Sequence, residues 1–205
     1  MTTSYEKAFI SLRYWMLGRN MHSALRALEF ASKFHTGTRK DGVTPEYFHQ
    51  LSIAQYIRTL DQGLLHPEPT FAAACLHDVS EDYDVGFDEI TSMFGGDISL
   101  AVRLLTKYHR GEAVPIAYYY EKIAENSIAS VVKGADRINN LGSMVNVFTL
   151  EKQKAYIEET KTHVLPMLKT ARRFFTEQEP IYMNMKFVLM SQIALIEGIH
   201  KAGAK

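Results

Sequence analysis

Phe71-Ala72-Ala73-Ala74-Cys75-Leu76-His77-Asp78-Val79-Ser80-Glu81-Asp82 is the stretch on which the reading of this chain turns. Read as one helix over 71–82, it places His77, Asp78, Glu81 and Asp82 on a single face, because residues three and four apart stack on a helix. Four proton-handling or metal-binding groups on a largely apolar helix are costly to bury without a role. Imidazole and carboxylate together suit a divalent first-row ion. A His-Asp pair alone is common and carries little weight. It gains weight from His49 upstream, at the start of another predicted helix, and from Asp136 downstream, within Val132-Lys133-Gly134-Ala135-Asp136-Arg137-Ile138-Asn139-Asn140.

Outward from this run, nearly every segment has helical periodicity. Helices are predicted over 5–17, 21–35, 49–60, 87–94, 98–108, 118–126, 127–140, 151–175 and 181–200. Gly95-Gly96 closes one of them and Asp97 caps the next. Pro166 is a candidate kink in the long helix over 151–175. The loop from Thr36 to Glu46 is rich in glycine and polar residues and cannot continue a helix. The expected class is all-α, with at most a short hairpin near residues 39–47. The expected organisation is one domain over residues 1–205, with accessory helices at 1–20 and 176–205.

The chain has 205 residues, enough for one well-filled core. Its 23 Lys plus Arg balance 23 Asp plus Glu. That balance argues against broad electrostatic binding to nucleic acid or to an anionic membrane. A single cysteine, Cys75, excludes an intramolecular disulfide and suits a reducing, cytoplasmic setting. The N-terminal residues lack a signal-peptide plan. The late segment 181–199 is interrupted by polar residues and does not read as a membrane span. This Met-rich helix either caps the bundle or offers a homodimer surface.

His49, His77, Asp78 and Asp136 would give a metal two imidazoles and two carboxylates. Such an ion lowers the pKa of a bound water and neutralises phosphoryl charge. Glu81 and Asp82, one turn on, are placed to orient or deprotonate that water. Arg39 and Lys40 lie in the loop before His49, where an Arg fork can clamp phosphate or stack on a base. Lys133, Asp136, Arg137 and Asn140 recur at helical spacing and can share a face, with Asn140 near the metal. His35 lies near Arg39 and braces the loop.

With these residues in hand, the chain resembles the hydrolase domain of the RelA/SpoT family, and in layout the stand-alone small alarmone hydrolases. The matching pieces are Phe34 to Gly42, Pro45 to His49, Ala73 to Asp82, Phe87 to Gly95 and Val132 to Leu141. The resemblance implies an all-helical HD fold that binds Mn2+. It implies cleavage of the 3′-pyrophosphate from ppGpp or pppGpp. His49, His77, Asp78 and Asp136 match the metal ligands, and Glu81 and Asp82 match the catalytic acidic pair. Arg39, Lys40, Lys133, Arg137 and Asn140 are the matching candidates for substrate contact, with Arg39 expected against the guanine. The chain departs from the family at Gln50, where proline is usual, and at Glu46, which separates Pro45 from Tyr47. It departs again at Leu141-Gly142-Ser143, which lacks an expected cation. These departures bear on nucleotide preference, and NADPH 2′-phosphate or a nucleoside 5′-monophosphate are the other substrate classes considered. A catalytically silent alarmone-binding module is the reading outside enzymes. No length within the 205 residues is left for a synthetase or TGS domain.

Overall fold

The helix at the centre, α4 (Pro67–Leu76), starts with proline in its first turn and then has every residue from Thr70 to Leu76 buried. A helix that is apolar all round belongs inside, because no face of it gains from water. Its small alanines let neighbours approach closely. The computed structural model describes residues 3–145 and 147–203 and shows an all-α architecture. Around α4 pack α2 (His22–Ala31), α3 (Phe48–Arg58), α7 (Gly96–Leu105) and α9 (Ser127–Ser143). α1 (Ser4–Gly18) lies against α2 and α3, and its Trp15 ring meets Phe71 of α4 at 4.9 Å.

The second long central helix, α9, starts at Asn126, whose side chain accepts from the amides of Ile128 and Ala129. This satisfies two of the donors a helix start leaves open. Gly134 lets α12 (Glu179–Gly203) approach, since a Cβ there would stand 2.5 Å from Met185 Sδ. α12 buries Ile181, Tyr182, Met185, Leu189, Ile193 and Ile196, while Phe187, Met190 and Leu195 face outward. The Met-rich tail therefore caps the bundle on one side and keeps an apolar stripe on the other. No helix among the described residues is long and apolar enough to cross a membrane.

Several boundaries differ from expectation. The predicted helix over 71–82 is two helices, α4 and the short α5 (Val79–Tyr83), with His77 and Asp78 at the break. The ladder restarts from Asp78, whose carbonyl accepts from the Asp82 amide at 2.8 Å. α2 ends at Ala31, and tighter turns carry the chain to His35. Between α6 (Phe87–Phe94) and α7 the cap is Gly95 at φ 92°, with Asp97 inside the first turn of α7. α7 stops at Leu105, and Tyr108–His109 pairs with Glu112–Ala113 as a hairpin, β1 and β2. Its turn, Arg110-Gly111, takes positive φ at both residues, the geometry that matches strand twist. In the 39–47 loop the pairing reduces to one bridge, Thr38 to Pro45. After α8 (Ile116–Ala124), the expected long helix is α10 (Leu150–Glu159), a π-helical turn over Thr160–Val164, and α11 (Leu165–Phe174). Pro166 has no N–H to give, and the wider turn just before it absorbs the mismatch.

A candidate metal centre in a charged cleft

Three segments bring four side chains together. His49 stands in the first turn of α3, which the Pro45–Tyr47 turn aims inward through the His49 amide bond to the Glu46 carbonyl. His77 and Asp78 occupy the break between α4 and α5, and Asp136 lies midway along α9. His49 Nε2 is 3.6 Å from Asp78 Oδ2 and 3.3 Å from Asp136 Oδ1. His77 Nε2 is 3.0 Å from Asp78 Oδ2. The ligand atoms of His49, His77 and Asp78 all lie within 4.8 Å of one another, and Asp136 joins the group through His49.

The ring nitrogens are sorted by their outer partners. His49 Nδ1 gives its hydrogen to Asn139 Oδ1 at 2.8 Å, and His77 Nδ1 gives its own to the Ala74 carbonyl at 3.0 Å. Both Nε2 atoms therefore point into the cleft, open to a proton or to a metal ion, the arrangement of metal-binding histidines. His77 Nε2 is buried and faces the Asp78 carboxylate at 3.0 Å. A buried imidazole lone pair facing carboxylates is satisfied by a cation, so the donor set fits a divalent ion.

The charges of the centre are mutually set. Burial opposes the charged form of Asp136, but Lys133 and His49 hold its carboxyl well below the usual range. Burial likewise opposes Asp78, and His77 holds it down at about 2. Burial works against a charged His77, yet Asp78 pushes the imidazole up to about 9 in the metal-free centre. Asp82 goes the other way, pushed up to about 6 by burial and by Asp78, Glu81 and Glu46.

His49, Asp78, Asp82 and Asp136 line a cleft of about 380 Å³. Arg39, Lys40 and Asn140 line it as well. Arg39 reaches Asn140 Oδ1 at 3.5 Å, and Asn140 Nδ2 donates to Asp136 Oδ1 at 2.6 Å. Glu81 is not among the lining residues; its carboxylate accepts from the Lys107 amide at 2.8 Å. Lys133 and Arg137 are corrections. Lys133 is turned to Asp136 Oδ2 at 3.0 Å and orients that ligand instead of facing the cleft. Arg137 is buried and binds Glu159 at 3.0 Å, the Tyr120 hydroxyl at 3.1 Å and the Tyr156 carbonyl. Lys133 keeps the α9 face it shares with Asp136 and Asn140, whereas Arg137 is drawn off it by Glu159 and Tyr156 of α10 and Tyr120 of α8.

Other residues of the site were given no chemical role in the sequence reading. Asn139 orients His49, and the Gln50 amide lies between His35 at 3.2 Å and Asp78 at 3.3 Å. Phe148 and Tyr156 supply aromatic walls, with Lys40 and Lys152 over the Phe148 ring at 5.3 and 4.1 Å. Asn139, beside Asn140, had an adjacent asparagine as its one hint. The aromatic walls come from α10 and the segment before it, outside every motif of the sequence.

Residues 27–117 match a family model described as HD domain. A probable guanosine-3′,5′-bis(diphosphate) 3′-pyrophosphohydrolase of Synechocystis sp. is 29% identical over 150 residues, covering 69% of this chain and 19% of the relative. A guanosine-3′,5′-bis(diphosphate) 3′-pyrophosphohydrolase of Aquifex aeolicus is 30% identical over 147 residues, covering 69% of this chain and 20% of the relative. A GTP pyrophosphokinase of Streptomyces coelicolor is 27% identical over 148 residues, covering 69% and 17%. The chain thus spans about a fifth of the length of these curated relatives. A solved structure described as a metazoan ortholog of SpoT that hydrolyses ppGpp shares the fold. Its TM-score is 0.56 at 21% identity, over 79% of this chain and 94% of the other. Matched model and shared sequence agree that the chain carries an HD domain of the RelA/SpoT type.

Proposed function

We propose that this chain is a metal-dependent phosphohydrolase, acting as one HD-type unit on the 3′-pyrophosphate of ppGpp or pppGpp with Mn2+ as its ion. The observation that carries the reading is the pair of Nε2 atoms, freed by Asn139 and Ala74, converging with Asp78 and Asp136 at the base of a nucleotide-sized cleft. When bound, a divalent ion there supplies an activated water and charge neutralisation at phosphorus. The remaining work falls to side chains. Arg39 and Lys40 draw the polyphosphate to the cleft, and Arg39, linked to Asn140, is placed to fork onto a guanine edge or a phosphate. Phe148 and Tyr156 offer apolar faces to the base. Asp82, raised to about 6, exchanges a proton near neutral pH, so it suits removal of a proton from water and its return to the leaving oxygen. Glu81, bonded to the Lys107 amide, anchors the short acidic helix from outside the cleft.

The test is product analysis with ppGpp, NADPH and nucleoside 5′-monophosphates in parallel, with and without Mn2+. The reading predicts GDP and pyrophosphate from ppGpp, with release dependent on Mn2+ and lost in Asp78→Ala. Preferential phosphate release from a monophosphate or from NADPH would replace the substrate, and ppGpp binding without turnover would make the protein a sensor.

A further inference from the structure

A second group of ligand-type atoms lies beside the centre and shares no residue with its four ligands. His35, Glu46 and Asp82 each bring a nitrogen or oxygen atom within 4.8 Å of the others. His35 is 1% exposed, and its Nδ1 has no hydrogen-bond partner. Nδ1 stands 4.0 Å from Glu46 Oε1, too far for a hydrogen bond and wide enough to seat an ion with ligand bonds of about 2 Å. Glu46 is held in place from its other oxygen. Oε2 accepts from the Tyr83 hydroxyl at 2.8 Å and from the Gly37 amide at 3.3 Å, which leaves Oε1 turned toward His35. Glu46 is also the residue that parts Pro45 from Tyr47 in this chain.

The electrostatics of the cleft call for a further cation. Asp41, Glu46, Asp78, Asp82 and Asp136 line it against only Arg39 and Lys40. One divalent ion leaves that lining still negative, and a second reverses its sign, as a polyanionic substrate requires. Burial keeps His35 below the ordinary histidine range, so the imidazole is in its neutral, ligating form.

We propose that His35, Glu46 and Asp82 hold a second divalent cation beside the first, placed to meet the anionic oxygens of a phosphate-bearing substrate; with that ion bound, Asp82 positions the attacking water and no longer takes its proton. The second ion's role in turnover rests on the phosphohydrolase reading; its occupancy does not. Gln50 sets the tautomer. Its Nε2 lies 3.2 Å from His35 Nε2 and 3.3 Å from Asp78 Oδ2, while its Oε1 is buried without a partner. With the amide turned over, the oxygen accepts from His35 Nε2–H, and Nδ1 keeps its lone pair for the ion. The contact given up belongs to Asp78, an oxygen the first ion takes.

The experiment is a titration of the metal-free full chain with Mn2+ alone, up to roughly millimolar free ion, counting bound ion by electron paramagnetic resonance. The expected result is two Mn2+ per chain for the wild type and one for Glu46→Gln. That variant should fold, because its amide oxygen still accepts from Tyr83 and Gly37. Asp82→Asn is the independent variant if Glu46→Gln fails to fold, and it too should hold one ion. A wild type that stops at one ion, or variants that still bind two, overturns the proposal. One ion with ppGpp hydrolysis intact removes the second site alone; two ions without hydrolysis removes the substrate assignment alone.

Discussion

His77 is held at about 9 by Asp78 once burial has been overcome, so at neutral pH the metal-free ring carries a proton on the atom an ion needs. Metal and proton compete for Nε2. Uptake of Mn2+ at pH 7.5 should release about one proton, and apparent affinity should rise roughly tenfold per pH unit until it levels off above about pH 9. Calorimetry in buffers of different ionisation enthalpy reads this directly, and uptake without proton release would contradict it. Asp82 and Glu81, adjacent in sequence, are expected to part in behaviour. Asp82→Asn should lower kcat by about 10²- to 10⁴-fold. Glu81→Gln, which keeps an acceptor for the Lys107 amide, should lose far less. Equal losses in steady-state kinetics would put Glu81 back into the chemistry. The candidate ligands stood out in the sequence because imidazole and carboxylate declare their chemistry by type. Asn139 and Gln50 did not, because an amide becomes an orienting group only through the partner that the fold sets opposite it.

Among the elements, α4 and α9 decide where the chemistry sits, and each shows a different limit of sequence reading. The apolar run of α4 announces a buried helix. Its end at His77 is not announced, since Val79, Ser80 and Glu81 continue a helical pattern and only the backbone turn at Asp78 breaks it. The Tyr108–Ala113 hairpin escaped for a simpler reason: two-residue strands are too short to show alternation. On α9, helical spacing groups Arg137 with Asp136 and Asn140, but α10 and α8 draw it away through Glu159, Tyr120 and Tyr156. Arg137 should therefore act on stability. Arg137→Met leaves the half-buried Glu159 with only the Tyr120 hydroxyl and the distant Lys107, and should cost about 2 kcal/mol in urea unfolding, with KM for ppGpp little changed. Unaltered unfolding together with a raised KM would restore Arg137 to substrate contact.

For the whole molecule, twelve α-helical segments among the described residues enclose one core, and the cleft opens where α3, α5, α9 and the loop before α3 meet. The fold class was legible because helical periodicity runs through nearly the whole chain. The cleft's shape was not, because Phe148 and Tyr156 approach it from more than 60 residues beyond the His77-Asp78 pair. Everything functional depends on His49, His77, Asp78 and Asp136 closing on one ion. An anomalous-scattering map at the manganese edge, from crystals of this chain grown with Mn2+, tests that most directly. The account predicts a peak bonded to the Nε2 atoms of His49 and His77 and to oxygens of Asp78 and Asp136. Those four side chains ordered but turned apart, with no peak between them, would contradict it.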